Sequence, residues 1–422
     1  MFSVDNFYEF FKVKYGWDKH QVLPFVPTMH GTKDFSQWVR WHDINESQKN
    51  NVFNYSKYSI HGAIILHDQE PFWSGLLDIY CADANSKFND CLSIGSTEDY
   101  FLRRWQTCSW PIFCHSEKNS DDIEWLKSIG VIDCHYFYHG LISRDWFRHW
   151  KHHPDLSPKS TWQKRFLLYI RDASGSRQYR NQVKQDLLSW REHIHHNWDH
   201  PDPKITSDYS AKIIVEDAIK TGIHIVAETV FDNKKIHLTE KVFKPIVMCQ
   251  PFIIYAAPQS LRYMKSYGFQ TFSSIWDESY DQESNHDRRR EMIHDLIGKL
   301  CRLDDSEFCT VLEKCQKIIE HNRDHFYSED FEKILLKELD INVLTAYQQQ
   351  KELLKNDPGG SFFFTIDQLF KKGMIIDEKA HATRRVTDTL THLENIVNEL
   401  KTNHLDKWQL IKSKYPWAET IF

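Results

Sequence analysis

Short apolar runs separated by polar turns fill the first 150 residues. His61-Gly-Ala-Ile-Ile-Leu66 reads as a buried strand, since a continuous apolar run of this length suits a sheet covered on both faces. Trp110-Pro-Ile-Phe-Cys114 reads as a second strand. The acidic pair Asp121-Asp122 then opens a helix over 123–129 that Gly130 caps, and 131–138 returns as a strand. This strand–helix–strand rhythm predicts a parallel sheet with helices on its faces. Residues 149–164 contain three Lys, three His and two Pro, keep no period, and read as a linker.

A second alternation follows. Arg165-Phe-Leu-Leu-Tyr-Ile170 is a predicted strand, Arg171-Asp-Ala-Ser-Gly-Ser a small-residue turn, and 177–190 has leucines at helical spacing. Runs at 211–215, 224–227 and 251–255 read as further strands, with a helix over 240–247 between the last two. From residue 288 the pattern turns helical (288–303, 306–323, 327–354), Asp357-Pro-Gly-Gly360 interrupts it, and 377–415 is a long polar helical stretch. The expected architecture is α/β of the GT-B kind, with two Rossmann-like domains facing a central cleft and a helical C-terminal extension. The first domain takes 1–150, the linker 151–164, the second domain 165–300, and the extension 301–422 packs across both.

Composition narrows the class. The chain has 422 residues, 41% hydrophobic and 27% charged, as a folded globular protein does. A formal charge of -6 and a pI near 6.5 exclude a protein-wide basic field for nucleic acid but leave room for local basic patches. Nine cysteines stand singly with no C-x-x-C pair, which argues for reduced thiols rather than a zinc site or disulfide framework. Neither a signal-peptide core nor an apolar span is present, so a cytoplasmic protein without a membrane partner is expected. D-x-D after an apolar strand, a P-loop, G-x-G-x-x-G and G-x-S-x-G are all missing.

Three constellations carry candidate chemistry. In Ile225-Val-Ala-Glu-Thr-Val-Phe-Asp-Asn-Lys-Lys-Ile-His-Leu-Thr-Glu-Lys-Val-Phe-Lys-Pro-Ile246, a strand ends at Glu228 and Thr239 caps the following helix. A helix N-terminus beside the carboxyl ends of parallel strands suits a diphosphate. Lys241 and Lys244 add positive charge there, and Glu228 and Glu240 suit hydrogen bonds to ribose or sugar hydroxyls. A plain capped surface helix fits the spacing equally well. Arg171, Arg177 and Arg180 surround the turn after 166–170, where arginine recognises phosphate bidentately or is merely solvated. Asp68-Gln69-Glu70-Pro71 ends an apolar strand, and one of its carboxylates could serve as a general base or cap a neighbouring helix.

The run Ala227-Glu228-Thr229 followed by Leu238-Thr239-Glu240-Lys241 resembles the donor-site signature of the α-1,3-fucosyltransferase family, in which Phe-Glu-Asn precedes Ile-Thr-Glu-Lys by about ten residues. A closer likeness is to glycosyltransferase-like proteins of large tailed bacteriophages. It rests on His67-Asp-Gln-Glu-Pro-Phe72, Ser116-Glu-Lys118, Tyr136-Phe-Tyr-His139 with Asp145-Trp146, Leu238-Thr-Glu-Lys-Val-Phe-Lys-Pro-Ile246, Gly268-Phe269, Thr271-Phe272 and Trp276-Asp-Glu-Ser-Tyr280. The resemblance implies a nucleotide-sugar donor, UDP- or GDP-linked, held by Arg171, Arg177, Glu228, Glu240 and Lys241, with no cofactor and no obligatory metal. It implies a carboxylate base at Glu70, with Asp68 as second choice.

Such enzymes imply an acceptor hydroxyl, with double-stranded DNA carrying hydroxymethylated bases the first choice and a glycan or protein the alternative. A non-catalytic nucleotide- or sugar-binding module is the remaining reading. Lys151-His-His, 159–165 and Arg288-Arg-Arg290 are basic patches, with Trp146, Trp150 and Trp162 nearby for stacking or simply for the core.

Overall fold

The apolar runs form parallel sheets, as strands buried on both faces do. The computed structural model describes residues 5–17, 22–25, 63–66, 111–118, 123–124, 127, 134–158, 161–170, 173, 177–198, 212–233, 235–356, 397–398 and 400–414. Its strands are β1 (Val22–Phe25), β2 (Ala63–Leu66), β3 (Ile112–His115), β4 (Cys134–Phe137), β5 (Lys164–Leu168), β6 (Ile194–His196), β7 (Thr221–Ala227) and β8 (Phe252–Tyr255). Its helices are α1 (Asp5–Tyr15), α2 (Gly140–Phe147), α3 (Tyr179–Asp186), α4 (Val215–Lys220), α5 (Glu240–Val247), α6 (Ser260–Ser266), α7 (His286–Arg302), α8 (Asp305–Phe326), α9 (Glu329–Asn356) and α10 (Leu405–Lys414).

The strands make two four-stranded sheets, β1-β2-β3-β4 and β6-β5-β7-β8, each parallel throughout. The fold is therefore mixed α/β with parallel sheets and substantial helix. The chain divides into two units. One holds Met1–Phe7, Ser116–Ser120 and Tyr138–Glu338, and the other Tyr8–His115, Asp121–Phe137 and Leu339–Phe422. Helix α2 and the segment up to β5, read above as a domain end and a linker, thus share a unit with the second sheet.

In the unit of the first sheet, α1 buries Tyr8 and Phe11, and Phe11 meets Trp17 and Phe113 at ring distances of 5.8 and 6.2 Å. Lys14 pairs with Asp340 at 2.6 Å, Tyr15 donates to the same carboxylate, and the Asn342 amide donates to Tyr136 O at 2.8 Å. Helix α10 buries Trp408 and Ile411.

In the unit of the second sheet, β6 lies on one side of β5 and β7 on the other, so strand order reverses between β5 and β7. The crevice outside the carboxyl ends of strands at such a reversal is where open α/β sheets hold ligands. All seven residues of β7 are buried. Gly222 belongs to it because a Cβ there would stand 3.0 Å from the Phe308 ring and 3.1 Å from Arg165 O. Phe243 packs on Phe326 at 5.3 Å and Phe269 on Phe331 at 5.0 Å, an aromatic layer worth roughly 1.5–3 kcal/mol per buried ring. Helix α8 starts with a full capping box, Asp304 and Glu307 exchanging bonds with each other's amides at 2.8 and 2.9 Å.

Several expectations need correction. The run at 211–215 is not a strand: 212–214 are irregular and Val215 begins α4, because Glu216 and Asp217 favour a helix start more than three apolar residues favour a sheet. Ile194–His196 forms β6, a strand that the apolar pattern of the sequence does not predict. The helix expected over 177–190 ends at Asp186 and continues as a 3-10 helix, Leu188–His193.

Candidate functional site

The turn from β7 into α5 assembles most of the residues singled out by sequence. Glu228 follows the last residue of β7 and is fully buried. One carboxylate oxygen accepts from Thr239 N at 3.0 Å, and the other accepts from the Thr239 hydroxyl at 2.8 Å and from Thr229 N at 3.3 Å. The strand end is thereby tied to the N-cap of α5, a helix of eight residues. Glu228 organises the turn instead of offering its oxygens outward, as had been expected.

The same turn is braced from α3. Buried Arg180 donates to the carbonyls of Ala227 and Glu228, both at 2.8 Å, and the Tyr179 hydroxyl donates to Glu228 O at 2.5 Å. Phe231 is sandwiched between the Tyr179 ring, stacked at 4.7 Å, and the Arg289 guanidinium, 4.4 Å from its centroid. Arg289 in turn donates to the carbonyls of Ala256, Glu283 and Phe231.

At the cap, Thr239 Oγ1 accepts from Lys241 N at 3.4 Å and Thr239 O from Val242 N at 3.3 Å, so these first-turn amides serve the helix itself. The Lys241 side chain is 28% exposed against 3% for Glu240, and its ammonium lies 3.2 Å from Glu240 Oε1, 3.0 Å from Thr239 Oγ1 and 3.3 Å from Thr229 Oγ1. Burial lowers the Lys241 pKa and the positive charges of Arg180 and Arg177 push it further, while Glu240 and Glu228 oppose them. The charges of Arg180 and Arg177 thus act on Lys241.

Glu240 is held from the opposite side by His139, 3.5 Å away. Burial would raise the Glu240 carboxyl, but Lys241, His139 and Lys244 outweigh it and hold the pKa well below the usual range. Burial keeps the His139 pKa below normal, so the imidazole is neutral at pH 7. The approach to the cap is fixed by Glu117, buried, which binds His237 Nδ1 at 3.1 Å, accepts from Leu238 N at 3.2 Å and faces Lys235 at 3.8 Å. Burial opposes ionisation of Glu117, and His237 and Lys235 more than offset it, so its pKa is lowered.

Arg177, Arg180, Glu228, Thr239, Glu240 and Lys241 therefore gather at one place. Lys244 does not reach it as a mobile charge: it is buried one turn on, beside His224. Arg171, Asp68 and Glu70 lie outside the described residues. Tyr179, His139, Glu117 and His237 were not foreseen as site residues; the signal was there for two of them, since Glu117 and His139 each stand within two residues of a strand end. The basic run Arg288-Arg-Arg290 is committed elsewhere: Arg288 to Glu291 at 3.0 Å, Arg289 to backbone, Arg290 to Asp186 at 2.8 Å and Asp287 at 2.7 Å. Trp146 is buried in the core, and Trp162, half-buried, packs on Phe308 at 4.9 Å.

The arrangement suits a compact polyanion: a hydrogen-bonded turn, buried carboxylates that anchor it, and a partly exposed lysine side chain with the charges of two arginines acting on it. Among the described residues no helix is long and apolar enough to cross a membrane, and no three His, Cys, Asp or Glu side chains cluster as a metal site would need. Compared with known proteins, the chain matches no family model, no curated protein and no solved structure.

Proposed function

We propose that this chain is a glycosyltransferase of the GT-B kind that takes a sugar from a nucleotide-sugar donor, UDP- or GDP-linked, to an acceptor hydroxyl. The observation that carries the reading is the Lys241 ammonium at the start of α5, beside the strand-order reversal, with Arg177 and Arg180 reinforcing its charge. A leaving diphosphate gains one negative charge as the bond from the sugar to its phosphate oxygen breaks, and cations already in place stabilise that charge without reorganisation. The resemblance of the Leu238-Thr-Glu-Lys241 block to fucosyltransferase donor sites supports the same assignment, with Arg171 as a further phosphate ligand. Glu70, or Asp68 in its place, is the proposed base that deprotonates the acceptor, making the transfer a single inverting displacement. Hydroxymethylated double-stranded DNA is the proposed acceptor, from the phage resemblance.

A thermal-shift screen over UDP-, GDP-, CMP- and dTDP-sugars tests the donor. A nucleotide that binds at a hundred times its Kd raises stability by about 2.7 kcal/mol, an easily read shift. Lys241→Ala should lose that shift while melting as the parent does without ligand. Incubating the best donor with hydroxymethylcytosine DNA and weighing the digested nucleosides tests the acceptor, and Glu70→Ala should abolish product while retaining donor binding. No shift with any donor would refute the assignment. A shift with no turnover on DNA, glycan or water would favour a non-catalytic binding module.

A further inference from the structure

A diphosphate at Lys241 leaves the nucleoside without partners, and the carboxyl edge of the same sheet offers a surface for it. Beyond β5 lies β6, whose last residue is His196. The rings of His196 and Trp198 stack face to face, centroids 3.9 Å apart and planes within 4°. Both side chains are partly exposed. Aromatic neighbours in a core usually meet offset or edge-on, as most pairs among the described residues do, so a parallel, partly exposed stack at the end of β6 departs from ordinary core packing.

The platform is held in register with the phosphate site. Between the two stacked residues, Asn197 is buried and its Oδ1 accepts from Ile170 N at 2.7 Å. Ile170 lies two residues past β5, at the root of the loop that leads to Arg177 and Arg180. One side-chain bond therefore couples the backbone under the rings to the backbone that carries the arginines. Along the sheet, β6 is two strands from β7, about 10 Å at the usual interstrand spacing. A ribose with its 5′ carbon bridges a gap of that order between a diphosphate and a base.

We infer that the His196–Trp198 stack is the nucleobase platform of the donor site, and that the ligand seated across β6, β5 and β7 is a nucleoside diphosphate or its sugar ester. This rests on the reading of the Lys241 turn as a diphosphate site. Every base has a π face, so the platform supplies affinity to all nucleotides and leaves the choice of base to hydrogen-bonding groups around it.

Isothermal titration of the full chain with inorganic pyrophosphate, UDP, GDP, CDP and dTDP tests the assignment. Trp198→Ala is expected to weaken each nucleoside diphosphate roughly 5- to 100-fold and to leave pyrophosphate affinity unchanged, the pyrophosphate isotherm also reporting that the unit is folded. Trp198→Phe, which keeps a flat ring, should recover most of the loss. The platform is overturned if the Ala variant binds nucleoside diphosphates as the parent does, or loses pyrophosphate in parallel. It is equally overturned if the parent binds pyrophosphate as tightly as any nucleoside diphosphate. If the parent binds neither, the diphosphate reading falls and takes the platform with it.

Discussion

Replacing Glu228 separates a residue that builds the turn from one that touches a ligand. Its carboxylate accepts from Thr239 N, the Thr239 hydroxyl and Thr229 N at 3.0, 2.8 and 3.3 Å, with no exposure to water. Hydrogen bonds to a charged acceptor contribute about 1.5–3 kcal/mol each and neutral ones about 0.5–1.5. Glu228→Gln keeps the volume and one acceptor oxygen, removes the charge, and turns an NH₂ toward the Thr239 hydroxyl, which can rotate to accept. The local cost should be about 2–4 kcal/mol, and Glu228→Ala should exceed it by stranding two amides. Global melting is a poor readout, because two units need not unfold together. Native-state hydrogen exchange at the Thr239 and Lys241 amides reads the turn itself, and a loss of about 2 kcal/mol is roughly a 30-fold fall in protection. Nucleoside diphosphate affinity should fall with it, since Lys241 is aimed by Thr239. Unchanged exchange at these amides together with lost affinity would refute the scaffold role and make Glu228 a ligand after all.

Three further outcomes are expected. Burial, with Lys244 adding to it, pushes the His224 pKa from 6.5 down to about 3, against weaker opposition from Gln250 and Asp217. Below about pH 6.5 the unfolded chain therefore takes up a proton that the folded one refuses, and stability is lost as pH falls, by about 2 kcal/mol at pH 5. Denaturant midpoints at pH 7 and 5 should differ less in His224→Phe than in the parent; equal differences would refute this. Gly268 has φ of 93° and a Cβ there would sit 2.7 Å from His325 Nε2, which holds Tyr267 O at 2.6 Å, so Gly268→Ala should cost more than about 2 kcal/mol by equilibrium unfolding. Asn322 bonds Gln270 N at 2.7 Å and Gln270 O at 2.8 Å, and Asn322→Ala should cost about 1–3 kcal/mol, read as a lower urea midpoint with unchanged slope.

How far the sequence reveals this structure depends on what each segment's residues are asked to do. Continuous apolar runs at β2, β5, β7 and β8 are legible because a strand buried on both faces admits almost nothing else. Helix α5 is legible to the residue, from Glu240 to Val247, because Thr239 is a strong N-cap with a basic and apolar turn behind it. The short edge strand β6 is not, since its three residues, Ile194-His-His196, carry more polar than apolar surface and its position is set by pairing with β5. Nor is the commitment of Arg289: three adjacent arginines look like a surface patch until one is seen to close a loop through four separate acceptors. Local pattern reports which groups are available; only the fold decides which are already taken.

The same distinction bears on the β7–α5 turn, where charge can be reckoned residue by residue. Arg177, Arg180 and Lys241 act on one another against the carboxylates of Glu228 and Glu240. That leaves one formal positive charge, to which the N-terminus of α5 adds roughly half a charge more. A neutral sugar alone would leave this excess unmet. A phosphate monoester would be held by it, but on the proposed reading a diphosphate, which spans further, would reach from the Lys241 ammonium toward Arg177. The two buried carboxylates do not weaken this argument, because both are already engaged: Glu228 accepts from Thr239 and Thr229, and Glu240 lies between Lys241 at 3.2 Å and His139 at 3.5 Å. They oppose the loss of charge at Lys241, which on the proposed reading turns from Glu240 to meet an incoming anion. A site that needs one side chain to move, over a backbone already immobilised from three sides, loses little on binding and can hold the charge that develops as a leaving group departs.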